Sequence, residues 1–344
     1  MMKKIISYAS VIFLILLLLS VSKDLTAQQK SPSAYDQNKK LGRGVNIIGY
    51  DPIWQSRDKA RFTEDHFRII KEGGFSTVRV NIHPFRYMDQ SNNYRLPQSW
   101  FDLLDWVIEK AVANDLMVIL DFHEYNSMAD KPETKKEIFL SFWRQVAPRY
   151  KDSPSNVLFE ILNEPNGQLT PELWNGFLAE ALSIIRKSNP TRTVIIGPGF
   201  WNQIPHLEEL KLPDNDQNII VTIHYYSPHH FTHQGAPWAG EESKSWLGIK
   251  WGSEEDKAAV RTDFQKAKEW SDASKRPILL GEFGAYEKAD IDSRVRYTAF
   301  VARTAEEFGF SWTYWQFDSD FIVYDIDNRR WNEPIYRALI PSVK

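Results

Sequence analysis

The chain has 344 residues, with 42 lysines and arginines against 45 aspartates and glutamates, a net charge of −3. That near balance leaves no positive field to hold a phosphate backbone, which argues against nucleic acid as a partner. Cysteine is absent, so there is neither a disulfide framework nor a lipid-modified cysteine.

Residues 1–29 read as a signal peptide. Lys3 and Lys4 form a basic start, residues 11–19 an apolar run, and Leu25-Thr26-Ala27 a small-residue cleavage site. The expectation is a secreted or periplasmic protein without stable membrane contact once the leader is removed. The alternative is a membrane anchor by an uncleaved leader, although residues 5–21 fall short of the roughly 20 apolar residues a spanning helix needs. Residues 30–40, polar and with a proline, read as a flexible lead-in, and residues 41–344 as one catalytic domain.

From there strand-like and helix-like segments alternate, eight of each. The strands are expected at 44–47, 77–82, 117–122, 157–162, 193–196, 219–223, 278–280 and 311–315. Several are continuous apolar runs, as in parallel strands covered on both faces. Thr170-Pro171 supplies an N-cap and an N1 proline to the helix that follows, and Gly73-Gly74 and Gly309 stop two others. Eight strand-then-helix units without a composition break predict an α/β fold, a single (β/α)8 TIM barrel. One interval departs from the pattern. Between Tyr226 and Ser253 runs a long aromatic loop on the C-terminal side of the sixth strand, where barrels hold substrate.

In such a barrel the strand C-termini converge on one mouth, and here they end on polar side chains: Arg79, His123, Asn163 with Glu164, His224 with Tyr226, Glu282, and Trp315. Two are glutamates on strands three apart, placed to face each other as two-carboxylate glycoside hydrolysis requires. One must be protonated and the other ionised, so their surroundings must push their pKa values apart. Arg79 is placed to hold one carboxylate anionic, with the Tyr226 hydroxyl as a further donor. Trp54, Trp201 and Trp238, next to glycine, proline or asparagine or in loops, are candidate sugar-stacking surfaces.

With Arg79 in VRVNI, His123 in ILDFHEY, Asn163-Glu164-Pro165, His224-Tyr225-Tyr226, Glu282 in GEFG and Trp315 in WTYWQF, the chain resembles glycoside hydrolase family 5 from Leu41 onward. The resemblance implies Glu164 as general acid/base and Glu282 as nucleophile with retention of configuration. It also implies Asn163 on the sugar 2-hydroxyl, Arg79 and Tyr226 orienting Glu282, His123 and His224 in the polar floor, and Trp315 as the platform under the sugar. Many cellulases of the family carry two consecutive histidines after the third strand. Here His123 is followed by Glu124, which becomes a candidate substrate contact.

The expected activity is that of an endo-β-1,4-glucanase acting on β-linked polysaccharide or oligosaccharide. Within the enzyme class the alternative is a β-mannanase or xyloglucanase; outside it, a catalytically inactive glycan-binding barrel, which would keep the tryptophans but lack a carboxylate. Barrels that bind divalent ions also gather histidines and acids at the mouth, but residues 44–46 offer no histidine pair, so neither metal nor cofactor is expected.

Overall fold

In the computed structural model, which describes residues 32–341, eight parallel strands close on themselves: β1 (Arg43–Ile47), β2 (Thr77–Ile82), β3 (Met117–Phe122), β4 (Val157–Glu160), β5 (Val194–Ile196), β6 (Ile219–Tyr225), β7 (Ile278–Phe283) and β8 (Ser311–Tyr314). Each pairs with its successor, and β8 pairs with β1. This is the (β/α)8 barrel. The proposed leader lies outside the described residues, among which no helix is long and apolar enough to cross a membrane.

Two elements differ from the sequence reading. Within the expected lead-in, Ala34–Leu41 form a helix, because Ser33 and Asp36 make a reciprocal capping box that satisfies its first N–H groups. Its Ala34 and Leu41 are buried with Met117, Ile119, Leu158, Ile195, Ile220 and Leu279, an apolar plug in the N-terminal half of the barrel. The fifth crossover carries no long helix. After β5 the chain makes a left-handed turn and then a short 3-10 helix, Ile204–Glu209. The expected cap at Thr170 is present, its hydroxyl accepting from Leu173 N at the start of Pro171–Ser188.

Strand register places the site. Residues paired on neighbouring strands face the same side, so Asn46 beside Arg79, and Asn81 beside Asp121 beside Glu160, form polar rows above the plug. On β7 the alternation is broken: Ile223 pairs with Leu280 but His224 with Glu282, leaving Gly281 as an extra residue. This bulge turns Glu282 onto the same face as His224. Only glycine fits there, since a Cβ on Gly281 would meet Thr222 Oγ1 at 2.4 Å.

Candidate active site

Arg79 is the hub of the polar layer and is fully buried. Its Nε and Nη2 fork onto Glu160 at 2.7 and 2.8 Å, its Nη1 donates to Asn46 Oδ1 at 2.8 Å and Glu282 Oε1 at 2.7 Å, and its Nη2 also reaches Asn163 Oδ1 at 2.7 Å. Asp121 lies 3.1 Å from the same guanidinium and 2.6 Å from His123 Nδ1. A planar cation with five donors is the side chain that joins so many acceptors in fixed directions. Although burial opposes its charge, Asp121, Glu160 and Glu282 hold Arg79 well above its ordinary pKa.

Glu282, 4% exposed, receives a second donor on its other oxygen: the Tyr226 hydroxyl, 3.0 Å from Oε2. Glu164 has none of these donors. It follows β4 with a φ of +44°, a left-handed conformation that a non-glycine residue holds only where its surroundings enforce it. Asn166 caps its carbonyl at 2.7 Å, and its Oε1 lies 2.7 Å from His224 Nδ1. The same Nδ1 lies 3.6 Å from Glu282 Oε2. One carboxylate oxygen of Glu164, one of Glu282 and a ring nitrogen of His224 all lie within 4.8 Å of one another.

These surroundings separate the two acids. Burial raises Glu164 to about 8, opposed by Arg79 and reinforced by the carboxylates of Asp121 and Glu160. Burial also raises Glu282, to about 7, with His224 and Arg79 opposing and Glu164 adding to the rise. Arg79 and Tyr226 donate to Glu282 and not to Glu164, which favours the ionised form of Glu282 and leaves the proton on Glu164. Burial lowers both His224 and His123, which keeps them neutral.

Trp315 stacks parallel on His123, 5.5 Å between centroids, with Tyr50 against it edge-on. It follows β8, and its backbone N–H donates at 3.1 Å to the carbonyl of Phe283, the residue after Glu282. Asn163, with its Oδ1 held by Arg79, keeps Nδ2 near His123 Nε2 at 3.5 Å. Trp201 and Trp238 are 43% and 51% exposed, Trp238 leaning on Tyr286 and Phe321. A pocket of about 390 Å³ opens over the loops that follow β1, β2 and β3, between Tyr50, Gln55, His83, Arg86, Glu124 and Ser127.

One expected stacking surface is buried, and one expected sugar contact has protein partners of its own. Trp54 is no stacking surface: it is 4% exposed, stacks on Trp100, and its indole N–H donates to Ile48 O at 2.8 Å. The first loop folds back on the core, and a neighbouring proline gives no sign of that. Glu124 borders the pocket, but its carboxylate is occupied: Oε1 accepts from Phe85 N at 2.7 Å and Oε2 from Ser127 Oγ at 3.2 Å, so it braces the β2 loop. Asn46 and Asn202 were not singled out from the sequence. Asn46 donates through Nδ2 to the carbonyls of Gly281, Thr313 and Tyr314 and so supports the β7 bulge; an amide inside an apolar strand was its one available signal.

Comparison with known proteins follows the same lines. A family model described as Cellulase (glycosyl hydrolase family 5) matches residues 38–320. Endoglucanase H of Acetivibrio thermocellus is 32% identical over 328 residues, covering 91% of this chain; the chain spans only 35% of that protein's length. The crystal structure of endoglucanase Cel5A from Thermotoga maritima is 44% identical with a TM-score of 0.84, covering 90% of this chain and all of that one. The same Thermotoga enzyme has been crystallised with cellobiose and with mannotriose.

Proposed function

The chain belongs to glycosyl hydrolase family 5, and from that premise we propose that it is a retaining endo-β-1,4-glucanase that cuts β-1,4-linked glucans by double displacement. The observation that carries this reading is the approach of Glu164 and Glu282 oxygens to within 4.8 Å. An inverting enzyme holds its carboxyl groups roughly 6.5–9.5 Å apart to seat a water, whereas a retaining pair stands about 5–5.5 Å apart.

Glu282, held by Arg79 and Tyr226, attacks the anomeric carbon. As that bond forms, the bond to the leaving sugar oxygen breaks, and the oxygen takes the Glu164 proton. In the second step water attacks the same carbon, Glu164 takes its proton, and the ester to Glu282 breaks to return the carboxylate. Asn163 Nδ2 donates to the 2-hydroxyl, a bond that strengthens toward the transition state. Trp315 forms the floor under the sugar at the cleavage point, with Trp201 and Trp238 stacking on further units. The trio Glu164, His224 and Glu282 also has the spacing of a metal site, but the Arg79 guanidinium already supplies the positive charge at Glu282. Activity is therefore expected to be insensitive to chelators.

A second substrate class, β-1,4-mannan, is favoured by the mannotriose complex of the Thermotoga enzyme, since one catalytic set serves both sugars. The basic and apolar leader supports export of the enzyme. The test is product analysis on carboxymethylcellulose, mixed-linkage glucan, glucomannan, galactomannan and xyloglucan. Oligosaccharides from the first three support the reading; cleavage of xyloglucan alone overturns it. Azide rescue of Glu164→Ala, but not of Glu282→Ala, with a retained product on an activated aryl glycoside assigns the roles; the reverse pattern exchanges them.

A further inference from the structure

Asn202 closes the segment Gly-Pro-Gly-Phe-Trp-Asn after β5, in which Phe200, Trp201 and Asn202 have φ of +50°, +59° and +56°. Three successive non-glycine residues in the left-handed region are held there by their surroundings. Trp201 N donates to Pro165 O at 3.1 Å, tying the turn to the loop that carries Glu164, and the Trp174 indole N–H donates to Gly197 O at 2.9 Å. Gly197 makes the space: a Cβ there would lie 2.0 Å from Asn202 Oδ1. The side chain is fully buried, and its hydrogen bond runs from Nδ2 to Nε2 of His224, at 3.2 Å.

With the amide nitrogen facing the ring and Asn202 Oδ1 left without a hydrogen-bond partner among the described residues, Nδ2 donates and Nε2 of His224 accepts. A neutral imidazole carries one proton, and here it must be on Nδ1, the nitrogen that lies 2.7 Å from Glu164 Oε1. We propose that Asn202 is a positioning residue which fixes His224 as the Nδ1–H tautomer and thereby keeps the acid proton of Glu164 on the oxygen that faces the scissile bond. This rests on the reading of Glu164 as general acid. Nδ1–H donates to Oε1 whether Glu164 is ionised or protonated, so Oε1 is always the acceptor. The proton is then carried by Oε2, which has no hydrogen-bond partner among the described residues. When water is the attacking group, the same oxygen takes up its proton. With the opposite tautomer Nδ1 becomes an acceptor 2.7 Å away, and the carboxyl proton is drawn into the bond with His224 instead of toward the leaving group.

The test pairs Asn202→Asp, which is nearly isosteric and replaces the donor by an acceptor, with Asn202→Ala, which removes the partner. In the intact enzyme labelled with 15N-histidine, His224 is expected to show a protonated Nδ1 and a bare Nε2, with Asn202→Asp adding a proton at Nε2. Whether that ring is then neutral or cationic, Glu164 loses its deliverable proton, to Nδ1 in one case and by ionising beside the cation in the other. For Asn202→Asp, kcat/KM on aryl cellobiosides with poor leaving groups should fall about tenfold to a hundredfold, and on dinitrophenyl cellobioside by less than about threefold, because that leaving group needs no acid. Asn202→Ala should show the same selectivity with a smaller loss. A wild-type His224 protonated at Nε2, or an equal loss across leaving groups in both variants, overturns the proposal. Failure of the underlying reading is seen separately, as an equal loss across leaving groups in Glu164→Ala itself.

Discussion

Ile119 and Asp121 on β3, like Leu158 and Glu160 on β4, are two positions apart, and within that step the barrel interior changes from an apolar plug to a charged layer. Both halves are buried and both belong to the same strands, yet they are held by opposite means. Each side chain of the plug gains roughly 1.5–3 kcal/mol from removal of its apolar surface from water. In the layer above, every charge loses several kcal/mol of hydration, roughly returned only because Arg79 meets each carboxylate at hydrogen-bond distance. The plug therefore supports the fold, and the charged layer is retained for what it does to Glu164 and Glu282.

Substitutions that separate these roles test the contrast. Arg79→Lys replaces the guanidinium fork by a single point charge. We expect kcat to fall roughly 10²–10³-fold, with a stability loss of about 3–5 kcal/mol from uncompensated buried carboxylates; chemical denaturation beside steady-state kinetics measures both. Leu158→Ala, one layer lower, should cost about 2–5 kcal/mol in the same denaturation experiment while kcat per folded molecule stays within about twofold. Equal loss of activity in the two variants would mean that the halves are not functionally distinct.

The charged layer also sets the pH response. The proposed mechanism needs Glu282 ionised and Glu164 protonated, and burial raises their pKa values to about 7 and about 8. Activity should thus fall on the acid side as Glu282 takes up a proton and on the alkaline side as Glu164 loses its own, the two apparent values belonging to the coupled pair. Glu164→Gln, assayed on an activated aryl glycoside, should lose the alkaline limb and keep the acid one. The smallest expected effect lies at the rim. Trp238→Ala should raise KM for polymer about threefold to tenfold with little change in kcat. Trp54→Ala should instead lower stability, since that ring packs on Trp100.

The charged layer is also where the sequence was most legible. Glutamates that end apolar runs at Glu164 and Glu282 have no packing reason to be there, and their order along the chain matched a resemblance carried by several motifs. Arg79 and Tyr226 were readable as partners of a carboxylate because their strands end on the same rim. What escaped depends on contacts that local pattern does not encode. The helix Ala34–Leu41 is polar in composition, and it is ordered by a capping box and by a few residues closing the barrel floor. Trp54 and Trp238 have similar neighbours in sequence, but one loop folds onto the core and the other stands out from it. Asn202 owes its place to a run of left-handed residues and to the missing side chain of Gly197. The bulge at Gly281 appears only once β6 and β7 are paired.

The central claim is that Glu282 is the carboxylate that bonds to sugar. Incubation with a 2-deoxy-2-fluoro cellobioside bearing a dinitrophenyl leaving group, followed by intact and peptide mass spectrometry, tests it directly. One sugar adduct, located on the peptide that contains Glu282, is the predicted result; an adduct on Glu164, or turnover of the reagent to an inverted product with no adduct, would contradict it.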